Sequence, residues 1–167
     1  MPALAGEHAP APRHTLVVSR SFGEQVRDLP PLAQAVATFT ARAAERLRKA
    51  GLAAGGVGVH IRSSLYTGAA YNASGQKRLS EATNDTGLLQ GAALSVLRAL
   101  YRRGPAYAKA GVLLFELTDA ARRQYALFPE QSEASTAQRA ALMQAMDAIN
   151  RKMGNYQIGR ASCRERV

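Results

Sequence analysis

Six side chains in this sequence could hold a polyanion: Arg20, His60, Arg62, Lys77, Arg78 and Lys109. Arg and Lys bind phosphate oxygens and fix register on a charged backbone without reading bases. His60 and Arg62 are two residues apart, and a strand would carry both on one face. A second kind of chemistry stands at residues 124–128 (QYALF). Leu127 and Phe128 have no periodic neighbours that would make them a core face, so with Gln124 they read as a peptide offered to another protein. Catalytic chemistry is thin. The acids stand apart, as with Glu81 and Asp85 or Glu116 and Asp119, and none forms a pair with flanking strand context. They read as surface acids and a helix cap. The sequence has no Gly-rich phosphate loop, no Cys/His metal spacing and no defensible Ser/His/Asp set. No cofactor or metal is expected in this chain.

Length and charge narrow the partners. A chain of 167 residues makes one domain with a small appendage, large enough to bury a core without staples. The formal charge of +10 points to a polyanion without naming it. No apolar run of about 18 residues could span a membrane, and the N-terminus lacks a signal-peptide pattern. One cysteine, Cys163, permits no internal disulfide and fits a reducing compartment, so a cytoplasmic location is expected.

The elements that must position these residues follow from periodicity. Residues 1–13 are rich in Pro and Ala and read as a linker, which suggests that something precedes them. Residues 14–22 read as a strand with Leu16 and Val18 on one face. Strict alternation puts Arg20 on that same face, so the strand must bend at Ser19 or Gly23 for Arg20 to turn outward. Pro30 and Pro31 open a helix in which Leu32, Val36, Phe39, Ala43 and Leu47 keep helical spacing, and Gly51 stops it. Residues 55–64 alternate, with Val57, Val59 and Ile61 inward and His60, Arg62 and Ser64 outward. Residues 65–75 read as a loop, and 77–83 as a weak polar strand. The Asn84–Asp85–Thr86 run offers a cap for a helix over about 88–103, with Leu89, Ala93, Val96, Leu97 and Leu100 inward. Residues 111–118 (GVLLFELT) are almost wholly apolar and read as a buried strand. A last helix spans about 136–152, with Leu142, Met146, Ile149 and Met153 in phase.

The order strand, helix, strand, strand, helix, strand predicts an α+β fold: a four-stranded sheet with two helices on one face, the other face open. The expected divisions are a linker (1–13), a sheet domain whose open basic face suits a nucleic acid or, less often, a dimer contact (14–119), a loop with the QYALF peptide (120–135), a helical extension (136–157) and a foreign tail (158–167). That tail, IGRASCRERV, resembles the translation of a short sequencing adapter. Leaving out its Arg160, Arg164, Arg166 and Glu165 takes the charge from +10 to +8 and removes the only cysteine. A C-terminal truncation is expected.

Specific motifs then carry a resemblance. SRSFG at 19–23, ATNDT at 82–86, YAKAGVLLFEL at 107–117 and RRQYALF at 122–128 resemble the C-terminal part of Y-family translesion DNA polymerases of the UmuC type. The similarity covers roughly residues 14–154. It implies a little-finger-like domain that grips primer–template DNA, with Arg20, His60, Arg62, Lys77, Arg78 and Lys109 facing it. It implies that Gln124, Leu127 and Phe128 bind the bacterial sliding clamp. It also implies a C-terminal extension that could meet a UmuD-like subunit. Nucleotidyl transfer and its Mg²⁺ would belong to a palm upstream, with no counterpart here, so the fragment itself is expected to have no enzymatic activity.

Two other readings share the βαββαβ order. One is a ferredoxin-like regulatory or protein-interaction domain, against which the net charge argues. The other is an RNA-binding domain of the RRM kind, which stacks bases on strand aromatics. The polar third strand here carries no aromatic.

Overall fold

The computed structural model describes residues 15–66, 70–122 and 133–154. The expected linker (1–13), the expected clamp-binding peptide (124–128) and the expected foreign tail (158–167) lie outside them. Four strands and three α-helices follow one another. They are β1 (Thr15–Val26), α1 (Leu29–Lys49), β2 (Leu52–Ser63), β3 (Asn72–Thr83), α2 (Thr86–Leu100), β4 (Tyr107–Asp119) and α3 (Glu133–Met153), with a 3₁₀ turn at Ala120–Arg122. The sheet order is β1-β4-β2-β3, antiparallel throughout. This is the expected α+β architecture.

The core follows from the two periodicities. Pro30 and Pro31 sit in the first turn of α1, where a missing N–H costs nothing. Leu32, Val36, Phe39, Ala43 and Leu47 recur along its buried stripe. The chain leaves α1 through Gly51 at φ +67°, a left-handed conformation that glycine adopts without penalty. Asp85 caps α2 by accepting from the Leu88 N–H at 2.9 Å. Leu89, Ala93, Val96 and Leu97 then face α1 and the sheet. Val57, Val59 and Ile61 of β2 and Ala110, Val112 and Leu114 of β4 complete the core. Each large aliphatic buried here contributes about 1.5–3 kcal/mol.

β1 runs on to Val26, past its expected end at residue 22, and three further elements depart from the sequence reading. β3 begins at Asn72, five residues early, because Asn72–Gln76 pair with Gly58–Arg62 although their residue types suit a turn. β4 begins at Tyr107, whose fully buried ring is held by its hydroxyl: it accepts from the Arg102 N–H and donates to the Arg102 carbonyl. The third is the rotation of α3. Met143 and Asn150 are buried, while Leu142, Ile149 and Met153 are exposed. The docking face is turned about one residue from the expected stripe. The anchor is ionic: Arg48 of α1 donates from Nε and from a terminal nitrogen to both carboxylate oxygens of Asp147, at 2.6 and 2.7 Å. Arg48 also donates to the Asn84 carbonyl and to Thr86 Oγ1.

Candidate nucleic-acid interface

With α1 and α2 on one face, the strand register defines the other. Four cross-strand rows make the open face: Thr15–Phe115–Gly56–Arg78, Val17–Leu113–Gly58–Gln76, Ser19–Gly111–His60–Ser74 and Ser21–Lys109–Arg62–Asn72. The two central strands carry glycine at three of these positions. Neighbouring rings fill the space above two of them. A β-carbon on Gly56 would fall 2.2 Å from Phe115 Cζ, and one on Gly111 would fall 2.1 Å from His60 Cε1. The glycines therefore let His60 and Phe115 lie low over the backbone, and the middle of the face stays shallow.

The alternation of the two central strands breaks at the end of the face near Arg78. Leu114 and Leu117 both pack on the core although they are three apart, as do Val57 and Ala54 opposite. The inward–outward alternation of β4 breaks at Glu116, a non-glycine residue at φ 52°, while the β2–β4 register continues across it. Its side chain packs within 3.0 Å of where a β-carbon on Gly55 would stand, and its carboxylate pairs with Arg78 at 2.8 Å. That pair is exposed and worth less than about 1 kcal/mol, so Arg78 can exchange Glu116 for another anion at little cost.

The structure sorts the six cationic candidates by face. His60, Arg62 and Lys109 share the open face, with Arg62 and Lys109 directly opposite each other on adjacent strands. Arg78 joins them at the far row. Among the described residues no carboxylate pairs with Arg62 or Lys109. Partial burial, and then the nearby Lys109 charge, hold the His60 imidazole below its ordinary pKa of 6.5. Its neutral form is thereby favoured. Arg20 and Lys77 stand on the helix-side rows, opposite Ala110 and Val57. Of the two places expected for a bend, Ser19 stays in register, and the β1–β4 register shifts between Ser21 and Val26, the stretch that holds Gly23. Both residues are exposed on edge strands, so their long side chains can reach round the rim. Ser64 leaves the face altogether: it lies past β2, with its N–H bonded to the Ala106 carbonyl.

Sequence reasoning missed Gly56, Gly58 and Gly111 as site residues. Their signal was present, since the outward positions of β2 run Gly56, Gly58, His60, Arg62. A cleft of about 520 Å³ between the end of β3, the start of α2 and α3 lies on the helix side, with Lys77, Arg139 and Met143 in its lining. Among the described residues no group of His, Cys, Asp or Glu could hold a metal, and no helix is long and apolar enough to cross a membrane.

The model of the impB/mucB/samB family C-terminal domain matches residues 13–127. The chain belongs to this family. It is 38% identical to Protein MucB of Salmonella typhimurium over 151 residues, which are 89% of this chain and 35% of that protein. It is 34% identical to Protein SamB of the same species over 146 residues, covering 86% and 34%. With Protein UmuC of Salmonella typhimurium strain LT2 the identity is 35% over 150 residues, covering 89% and 35%. The chain thus spans about a third of the length of these relatives. The resemblance to UmuC-type proteins is borne out at the level of the family. Its domain takes in the whole sheet, α1 and α2, while α3 lies beyond the matched residues.

Proposed function

We propose that this chain is the DNA-holding C-terminal part of an error-prone translesion polymerase acting in cytoplasmic DNA repair. The observation that carries this is the open sheet face: Arg62, Lys109 and His60 on the two central strands, over a floor kept shallow by glycine. Such a face can approach a sugar–phosphate backbone closely and contact it at several oxygens. Its cations would bind phosphate oxygens without reading bases, which suits a polymerase that must move along any template. Family membership supports the polymerase assignment. In this reading Arg78 joins after leaving Glu116, and Arg20 and Lys77 reach DNA from the edges. Nucleotidyl transfer is the work of another part of the protein. Gln124, Leu127 and Phe128 tether it to the sliding clamp, and the segment after the sheet meets a UmuD-like subunit.

The experiment is a salt titration of primer–template binding. If about four phosphates are neutralised, log affinity should fall against log salt with a slope of roughly −3.6. Arg62→Ala and Lys109→Ala should each weaken binding to every sequence alike and make the slope shallower by about 0.9. An affinity indifferent to salt, or a strong preference for one sequence, overturns the reading.

A further inference from the structure

The β2–β3 loop carries the most exposed large apolar side chains of the sheet domain. Tyr66 is 94% exposed and Leu65 67% exposed. The backbone beneath them is fixed. The Ser64 N–H donates to the Ala106 carbonyl at 2.8 Å, and the Ser63 N–H to the Tyr71 carbonyl at 2.8 Å. Ser63 Oγ accepts from the Tyr71 N–H at 2.7 Å, and Ser64 Oγ accepts from the Tyr66 N–H at 3.3 Å. The aromatic is therefore presented, with part of its ordering cost already met within the fold.

Its surroundings are cationic. Ser64 is bonded to the α2–β4 connection, which holds Arg102 and Arg103, both exposed. The Arg102 guanidinium lies 5.1 Å from the centre of the Tyr71 ring. Arg27 reaches the same connection, donating to the Gly104 carbonyl at 3.2 Å, and accepts at its own carbonyl from the Tyr101 hydroxyl. Arg62 and Lys109 form the last row of the open face at this end of the sheet. Glu24 and Asp28 are the acids in the segments that meet here, whereas Glu45, Glu81, Asp85, Glu116 and Asp119 belong to the opposite end.

We infer that Tyr66 is a stacking platform for unpaired DNA, with Leu65 at its side and Arg102 and Arg103 taking the adjoining phosphates. An aromatic among cations suits a nucleic acid, since every base offers a ring face and every nucleotide a charge. Within a continuous duplex each base face is already covered by its neighbours. Only an unpaired strand can meet Tyr66 face to face. A stable protein partner would need an interface of about 1,000 Å² or more, far beyond what two side chains on a loop supply. This inference rests on the proposed function only in taking DNA as the partner; the stacking site is separate from the phosphate contacts of the sheet face.

The test uses the whole chain and four variants, Tyr66→Phe, Tyr66→Ala, Arg103→Ala and Arg62→Ala. Each is titrated with a mixed-sequence single strand and with a covalently closed duplex, which has no ends. Tyr66→Ala should weaken single-strand binding about five- to tenfold and leave closed-duplex binding unchanged. Tyr66→Phe should bind like the parent, because the ring and not the hydroxyl does the stacking. Arg103→Ala should weaken single-strand binding and make its salt slope shallower by about 0.7. A strand carrying 5-iododeoxyuridine should photocrosslink at Tyr66. The inference is overturned if Tyr66→Ala binds the single strand like the parent, which would leave the loop to a protein partner. It is also overturned if Tyr66→Phe fails along with Tyr66→Ala, or if Tyr66→Ala lowers the melting temperature. In any of those cases, closed-duplex binding that Arg62→Ala weakens keeps the proposed function standing; if no form of DNA binds the parent chain, both fall.

Discussion

His60 lies so close over Gly111 that residue 111 has no room for a β-carbon: one would stand 2.1 Å from His60 Cε1 and 2.6 Å from Ser19 Cβ. The imidazole thus takes its place on the open face from a glycine on the neighbouring strand. Gly111→Ala should destabilise the domain by about 1–3 kcal/mol through overpacking. Adding His60→Ala should recover only part of this, because Ser19 Cβ is fixed to the backbone. A urea-unfolding cycle of the two single variants and the double checks both statements.

The same histidine sets a pH dependence. Its folded pKa lies below 6.5 because burial, and then Lys109, penalise the imidazolium. Between 6.5 and that lower value the unfolded chain binds more protons than the folded one, so stability falls as pH falls through this window. His60→Gln should flatten that part of the stability curve. Phosphates would reverse the penalty. If DNA lies on this face, the parent's affinity should rise on acidification below pH 6.5 more than that of His60→Gln, measured at constant salt.

Replacing Leu127 and Phe128 together by Ala should abolish binding to a bacterial sliding clamp. Each side chain entering an apolar pocket is worth about 1.5–3 kcal/mol, partly offset by the rigid-body freedom lost on association. DNA binding and melting temperature should stay as in the parent. A large drop in melting temperature would assign both side chains to the domain's own core and end the clamp assignment.

Asp147→Ala should release α3. The carboxylate receives two bonds from Arg48, and the pair is mostly shielded from water, with side-chain exposures of 13% and 21%. Its loss should cost about 1–3 kcal/mol, between the values for exposed and fully buried pairs. Hydrogen exchange should speed up across Glu133–Met153 and stay slow in β2 and β4. A uniform change over the whole domain would show that α3 is not a separate docking unit.

What the sequence made legible was whatever the core dictates. Val57, Val59 and Ile61 read inward by alternation and are buried, as are Leu32, Val36, Phe39, Ala43 and Leu47 by helical spacing. The first half of β3 was illegible because an edge strand with solvent beyond it needs no apolar pattern, and Asn72, Ser74 and Gly75 carry turn chemistry. The rotation of α3 was illegible because an ion pair from a distant helix, with Met143 beside it, outweighs the longer apolar stripe of Leu142, Ile149 and Met153. Of the open face, the cations of β2 could be read from their own strand. Their partners could not: that Lys109 stands opposite Arg62, and Gly111 opposite His60, is a matter of register between strands far apart in the chain.

That register also orders events during synthesis. Thr15 to Ser21 of β1 pair only with Lys109 to Phe115 of β4, and β4 lies between β1 and β2. The strand that joins the sheet into one is made last. Until the ribosome has released residues up to Asp119, β1 has no partner, and the β2–β3 hairpin shows a bare edge where β4 will insert. Long-range pairing of this kind closes slowly, because the loop entropy is lost before the contacts form. Lys109 is delivered by that same strand, so the cationic row opposite Arg62 comes into being only at the moment the sheet closes. A nascent or truncated chain that stops short of β4 therefore exposes an edge prone to association, and of the open-face cations it lacks Lys109 alone.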